Sequence, residues 1–131
     1  MIVDTSAIVA VLDGERDADA VGDVIASADR VAISATTLVE LTAVLTRYRR
    51  PGLHALVERR MRAWGVVVVA LDEEQARVAQ QAYRDYGRGS GHPAGLNLGD
   101  CYSYALAAVT DEPLLFVGDD FGHTDVRAAL V

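Results

Sequence analysis

The sequence predicts an α/β domain built on a central, mostly parallel sheet, and three observations carry that prediction. Short apolar runs of strand length alternate with longer stretches of helical periodicity along the whole chain. Helix candidates fill every gap between those runs. A chain of 131 residues that is 51% hydrophobic and 24% charged suits one compact core and argues against a disordered chain. Element by element, Met1 to Val3 reads as a short buried strand that ends at Asp4, and Thr5 to Leu12 as the helix after it. Ala18 to Ala28 is a second helix, Arg30 to Ile33 a second strand, and Ala35 to Arg49 a third helix. Pro51 breaks that helix and stands at the start of the next, Gly52 to Trp64, where its missing N–H costs nothing. Val66 to Leu71 is the third strand. In the helix Asp72 to Tyr86, the acids Asp72, Glu73 and Glu74 oppose the positive end of the dipole. Gly87 to Gly95 is too rich in glycine for regular structure and reads as one long loop. Gly99 to Thr110 is the last helix and Leu114 to Val117 the last strand.

A length of 131 residues lies in the commonest range for one domain, so residues 1–131 are expected to form a single unit that buries roughly two thirds of its unfolded surface. The apolar runs fall far short of the roughly 20 residues that span a bilayer, and the start lacks the basic residues of a signal peptide. A cytoplasmic protein with no membrane partner is the expectation. The single cysteine, Cys101, cannot close an internal disulfide and reads as a small core residue. Net charge is −7, against a general affinity for nucleic acid, but the charge is uneven. Between Arg47 and Arg62 six arginines (47, 49, 50, 59, 60, 62) face one acid, Glu58, which is compatible with a local basic face. His92, alone in the glycine-rich loop, reads as a solvated side chain.

Four carboxylates, Asp4, Glu40, Asp100 and Asp119, sit inside or beside apolar segments, where an unpaired charge is costly. Singly, each has a plain structural reading. Asp4 and Asp100 open helices, where an aspartate caps free N–H groups, and Asp120 rivals Asp119 as the inward acid of its pair. Together they gain meaning, because ligands of open parallel sheets gather at the carboxyl ends of strands, where Asp4 and Asp119 lie and which the helices of Glu40 and Asp100 adjoin. Such a cluster repels itself unless cations neutralise it. Oxygen-only ligands favour Mg²⁺ or Mn²⁺, which activate water and clamp phosphodiester oxygens, so metal-dependent phosphodiester hydrolysis is the reaction class inferred. Rival chemistries lack their residues. Ser6 stands where dehalogenase-type phosphatases need a second aspartate, and the chain has no lysine for them, for receiver domains or for a phosphate-binding loop. His54, His92, His123 and Cys101 show no zinc-ligand spacing, and no G-x-S-x-G is present.

Four blocks carry a wider resemblance: Ile2-Val3-Asp4-Thr5-Ser6-Ala7, Val39-Glu40-Leu41, Leu96-Asn97-Leu98-Gly99-Asp100-Cys101-Tyr102-Ser103-Tyr104-Ala105-Leu106-Ala107, and Pro113 to Phe121 with Gly118-Asp119-Asp120 inside it. In order, spacing and context the chain resembles the PIN-domain ribonucleases, and within them the VapC toxins of bacterial toxin–antitoxin pairs. The resemblance implies a three-layer α/β/α PIN-like domain and an endoribonuclease whose Mg²⁺ or Mn²⁺ is held mainly by Asp4 and Asp100. Glu40 and a fourth acid, assigned to Asp119, complete the site, although the compressed Gly118-Asp119-Asp120 stretch keeps Asp120 in contention. Thr5 and Ser6 would bring hydroxyls beside the metal, and Arg47, Arg49, Arg50 and Arg88 would position phosphates of the RNA. Similar toxins act as homodimers and are silenced by a VapB-like antitoxin whose tail lies across the acidic groove. A housekeeping RNA-processing nuclease and a non-catalytic PIN-like binding module are the alternatives that the same residues allow.

Overall fold

The computed structural model describes residues 1–130, and in it the predicted alternation closes into a four-stranded parallel sheet between two helical layers. The strands are β1 (Ile2–Val3), β2 (Ala32–Ser34), β3 (Val67–Val69) and β4 (Leu114–Leu115), in the order β3-β2-β1-β4. The helices are α1 (Thr5–Asp13), α2 (Ala18–Ser27), α3 (Ala35–Arg47), α4 (Leu53–Ala63), α5 (Glu73–Tyr86) and α6 (Leu98–Thr110). A 3-10 turn, Asp120–His123, follows β4 and was not foreseen from the sequence.

The period of two along each strand sorts the core into two layers. Ile2, Ala32 and Leu114 face α5 and α6, where they meet Ala79, Ala82, Cys101, Ala105 and Leu106. Their neighbours Val3, Ile33 and Leu115 face the other layer and meet Ile8, Val21, Leu41, Leu45 and Val57 from α1 to α4. Helical spacing supplies the matching stripes: Thr37, Leu41 and Leu45 are the buried row of α3, and Leu53, Val57 and Met61 that of α4. Cys101 is fully buried, as expected.

The helices agree with the sequence expectation to within two residues, while the strands are shorter or shifted at their ends. The reason is that hydrophobicity reports burial rather than pairing. Val66 packs on the core without joining the ladder. At the end of β4 the Val117 N–H leaves the ladder and donates to Ser6 Oγ at 3.1 Å. That diversion brings the chain after β4 across the carboxyl end of β1.

The strand order fixes where a site can form. From β1 the chain moves outward through β2 to the edge at β3, and then crosses to β4 on the opposite side of β1. The reversal point lies between β1 and β4, at whose carboxyl ends open α/β sheets hold ligands. Asp4 stands there, its N–H bonded to the Leu115 carbonyl at 2.9 Å.

Candidate active site

Asp4 is the first residue past β1 and the cap of α1, and it is 3% exposed. Three donors converge on its carboxylate: the Ser6 N–H at 3.0 Å and Ser6 O–H at 2.7 Å on Oδ2, and the Ser103 O–H at 2.6 Å on Oδ1. Ser103 has one hydroxyl proton and spends it on Asp4, so Thr37, 3.1 Å away, is the donor in the Thr37–Ser103 bond. A buried hydroxyl relay thus runs from α3 through α6 to Asp4. It fixes the orientation of the carboxylate.

Glu40 reaches the same place from α3. The Thr5 hydroxyl donates to its Oε1 at 2.9 Å, and its Oε2 lies over the backbone of Gly99, at the start of α6. A negative charge near the first turn of a helix is favoured by the dipole. Asp100, in that first turn, is held by a reciprocal capping box: Asn97 Oδ1 accepts from the Asp100 N–H at 2.8 Å, and Asp100 Oδ2 accepts from the Asn97 N–H at 2.9 Å.

Proton affinities record the crowding. Burial pushes Asp100 up from its ordinary 3.8 to about 7, against the lowering effect of the bond from Asn97, and repulsion from Asp4, Glu40 and Asp120 adds to the rise. Glu40 is raised too, mainly by burial and secondly by Asp4, while the Thr5 bond and the Arg47 charge pull it down. These are acids held together at a cost that a cation would relieve.

Asp4, Glu40 and Asp100 therefore lie at one end of the sheet, linked by the Thr5–Glu40 and Ser103–Asp4 bonds and by the contact of Glu40 with Gly99. Asp119 and Asp120 are both exposed, one immediately before the 3-10 turn and one opening it, and it is Asp120 whose charge contributes to the rise at Asp100. Thr5 and Ser6 act as donors to Glu40 and Asp4. Arg47, at the last turn of α3, is close enough for its charge to act on Glu40. Arg49 and Arg50 are exposed beyond that helix, and Arg88 lines a hollow with Tyr83 and Arg84 at the glycine-rich loop. The loop is more ordered than its composition implies, since Arg88 N–H bonds Leu96 O and Leu96 N–H bonds Tyr86 O. His92 is half-buried, edge-on to Tyr86, and accepts from the Ala94 N–H, so the expectation of a solvated side chain is corrected: packing on the ring pins it. Cys101 is pushed up to about 11 by burial, with Asp100 adding to it, which leaves it a packing residue rather than a nucleophile.

Among the described residues, no three His, Cys, Asp or Glu side chains form a ready-made metal cage. The donor set still fits a hard dication. Mg²⁺ is bound through one or two carboxylates with several retained waters, and Asp4 and Asp100 are two carboxylates whose charges repel one another. Sequence reasoning missed Ser103, Thr37, Asn97 and Gly99. Ser103 stands one helical turn after Asp100 and Thr37 one turn before Glu40, both inside apolar stripes, where a hydroxyl needs a partner.

Comparison with known proteins finds related sequences and folds. The PIN domain family model matches residues 1–127. Ribonuclease VapC42 of Mycobacterium tuberculosis is 58% identical over 129 residues, 98% of each chain. Among solved structures, VapC20 of Mycobacterium tuberculosis, titled a Sarcin-Ricin loop cleaving toxin, superposes with a TM-score of 0.72 at 19% identity, covering 95% of each chain. A toxin–antitoxin complex from Klebsiella pneumoniae superposes with a TM-score of 0.65 at 21% identity, covering 92% of this chain and 88% of the other.

Proposed function

Because the chain belongs to the PIN-domain family, and within it to the VapC ribonucleases, we propose that its endoribonuclease activity resides in Asp4, Glu40 and Asp100, with Asp120 rather than Asp119 as the fourth acid. The observation that carries this reading is the convergence of three desolvated or buried carboxylates at the reversal point of the sheet, with Asp100 raised to about 7 by burial and by its acidic neighbours. Asp4 and Asp100 would hold the divalent ion, Mg²⁺ or Mn²⁺. When bound, such an ion supplies a nucleophilic water and neutralises charge on the phosphate oxygens. The chain's own residues prepare that chemistry. Ser6 and Ser103 hold Asp4 in one orientation, Asn97 holds Asp100, and Thr5 holds Glu40. Glu40 is suited to accept a proton from an attacking water, because burial has already raised its proton affinity. Arg47, whose charge acts on Glu40, supports a role in positioning an RNA phosphate, and the exposed Arg49, Arg50 and Arg88 would add further phosphate contacts.

The whole stretch 1–131 would act as one nuclease unit and as the toxic half of a toxin–antitoxin pair. The antitoxin partner follows from the toxin–antitoxin complex that shares the fold and from the identity to VapC ribonucleases. A basic side chain from such an antitoxin would bring a positive charge among the acids. We also assign a homodimer, supported by Val39 and Leu98, 70% and 60% exposed, which flank the Glu40–Gly99 contact as apolar residues open to solvent.

The test is cleavage of total cellular RNA by purified protein, wild type against Asp100→Asn, with and without EDTA. Asp100→Asn keeps the capping acceptor through its amide oxygen, so it should fold normally and cut nothing, and EDTA should silence the wild type. Cleavage by the variant at the wild-type rate, or full activity in EDTA, overturns the assignment.

A further inference from the structure

Gly99 occupies a place where helix chemistry gives no reason for glycine. It is the second residue of α6, its backbone is not in the left-handed region, and glycine in a helix is less favourable than alanine by about 1 kcal/mol. The space around it explains its presence. A Cβ on Gly99 would overlap the Oε2 and Cδ atoms of Glu40. The Glu40 carboxylate therefore fills the volume that any side chain at position 99 would take.

From this contact we infer that Gly99 is a positioning residue: it keeps open the cradle that seats the Glu40 carboxylate against the first turn of α6, one residue from Asp100. The inference rests on the proposed site, in which Glu40 acts beside Asp4 and Asp100. Two anchors define the seat. Thr5 donates to Oε1 at 2.9 Å, and the missing Cβ admits Oε2. Displacing the carboxylate breaks the first anchor as well, because Glu40 cannot keep both oxygens in place while swinging clear of a methyl group. The obstructing group is the far end of a flexible side chain, and the backbone does not have to move. The fold would accept alanine, and the site would not.

The experiment compares Gly99→Ala, Glu40→Asp and the double variant Gly99→Ala with Glu40→Asp, using Asp100→Asn as a separate control. Melting temperature in EDTA, Mg²⁺ and Mn²⁺ affinity by calorimetry, and kcat and KM on a cleaved RNA are measured for each. For Gly99→Ala the melting temperature should hold or rise, while kcat falls about 10- to 100-fold, the range seen when the partner that orients an active-site group is lost. KM should change less than kcat, since the substitution acts on the Glu40 carboxylate and leaves the arginines assigned to RNA phosphates untouched. Aspartate is one methylene shorter and withdraws from the cradle, so the double variant should lose less than the product of the two single losses. That partial rescue is the signature a merely structural glycine would not give. Wild-type kcat in Gly99→Ala, or independent losses that multiply in the double variant, overturns the inference. If Asp100→Asn cuts RNA normally, the proposed site itself has failed, and the two outcomes are distinguishable.

Discussion

Asp100 is the residue at which the site's electrostatics are most exposed to measurement. Its folded form keeps a proton up to about pH 7, whereas an unfolded aspartate releases it near 3.8. Between those values the folded state binds more protons than the unfolded one, so stability falls as pH rises through the window. Glu40, raised in the same direction, adds to the slope. Without metal, the melting temperature in EDTA should therefore decline from pH 4 toward pH 7, and Asp100→Asn should flatten the decline and melt higher than wild type near pH 8. A wild-type curve that rises over this interval would remove the case for a strained carboxylate pair. Mg²⁺ should reverse the trend, stabilising more at pH 8 than at pH 5, because it competes with the proton for the same oxygens. The position of these acids was legible in the sequence, since each is charged where its neighbours are apolar. Their proton affinities were not, because burial and mutual repulsion depend on distances that spacing along the chain does not contain.

At the level of elements, the site is a junction of α3 and α6 against the end of β1. The Thr37–Ser103–Asp4 relay is the only buried side-chain hydrogen-bond chain joining the two helices among the described residues. Ser103→Ala leaves both the Thr37 hydroxyl and Asp4 Oδ1 short of a partner in a dry environment, a loss of about 1–3 kcal/mol. The expected result is a lowered urea midpoint with unchanged slope, together with reduced cleavage. Ser103→Thr, which restores the hydroxyl, should recover more of the activity than of the stability, since the extra methyl crowds a fully buried position. Equal cleavage by Ser103→Ala and wild type would show that the relay does not orient Asp4. Helix periodicity already places Ser103 on the Asp100 side and Thr37 on the Glu40 side of their helices. That the two hydroxyls face one another across the helix interface is a fact of packing, and only the folded arrangement of α3 against α6 supplies it.

For the whole molecule, the relevant feature is the arrangement of charge and apolar surface around the acidic end of the sheet. Its net charge of −7 opposes RNA binding, so the approach of the polyanion depends on local arginines, of which Arg47 is close enough for its charge to act on Glu40. Next to the acids Val39 and Leu98 expose apolar surface at the rim. If a second copy covers that rim, light scattering after gel filtration should give the mass of two chains, and Val39→Asp should give the mass of one, because a carboxylate would be stranded in an apolar contact. A wild-type monomer at micromolar concentration would rule the homodimer out. No helix among the described residues is long and apolar enough to cross a membrane.

The alternation of strands and helices, and the three acids Asp4, Glu40 and Asp100 as candidates, could be read from the sequence, because each is written in local periodicity or in a charge set against apolar neighbours. The sequence also carried the family resemblance that the PIN domain match bears out. The tertiary structure alone decided which of Asp119 and Asp120 acts on Asp100, which hydroxyls hold Asp4, and why position 99 has no side chain. Those choices depend on atoms that lie many residues apart in the chain and meet only when the crossover to β4 closes the sheet around β1.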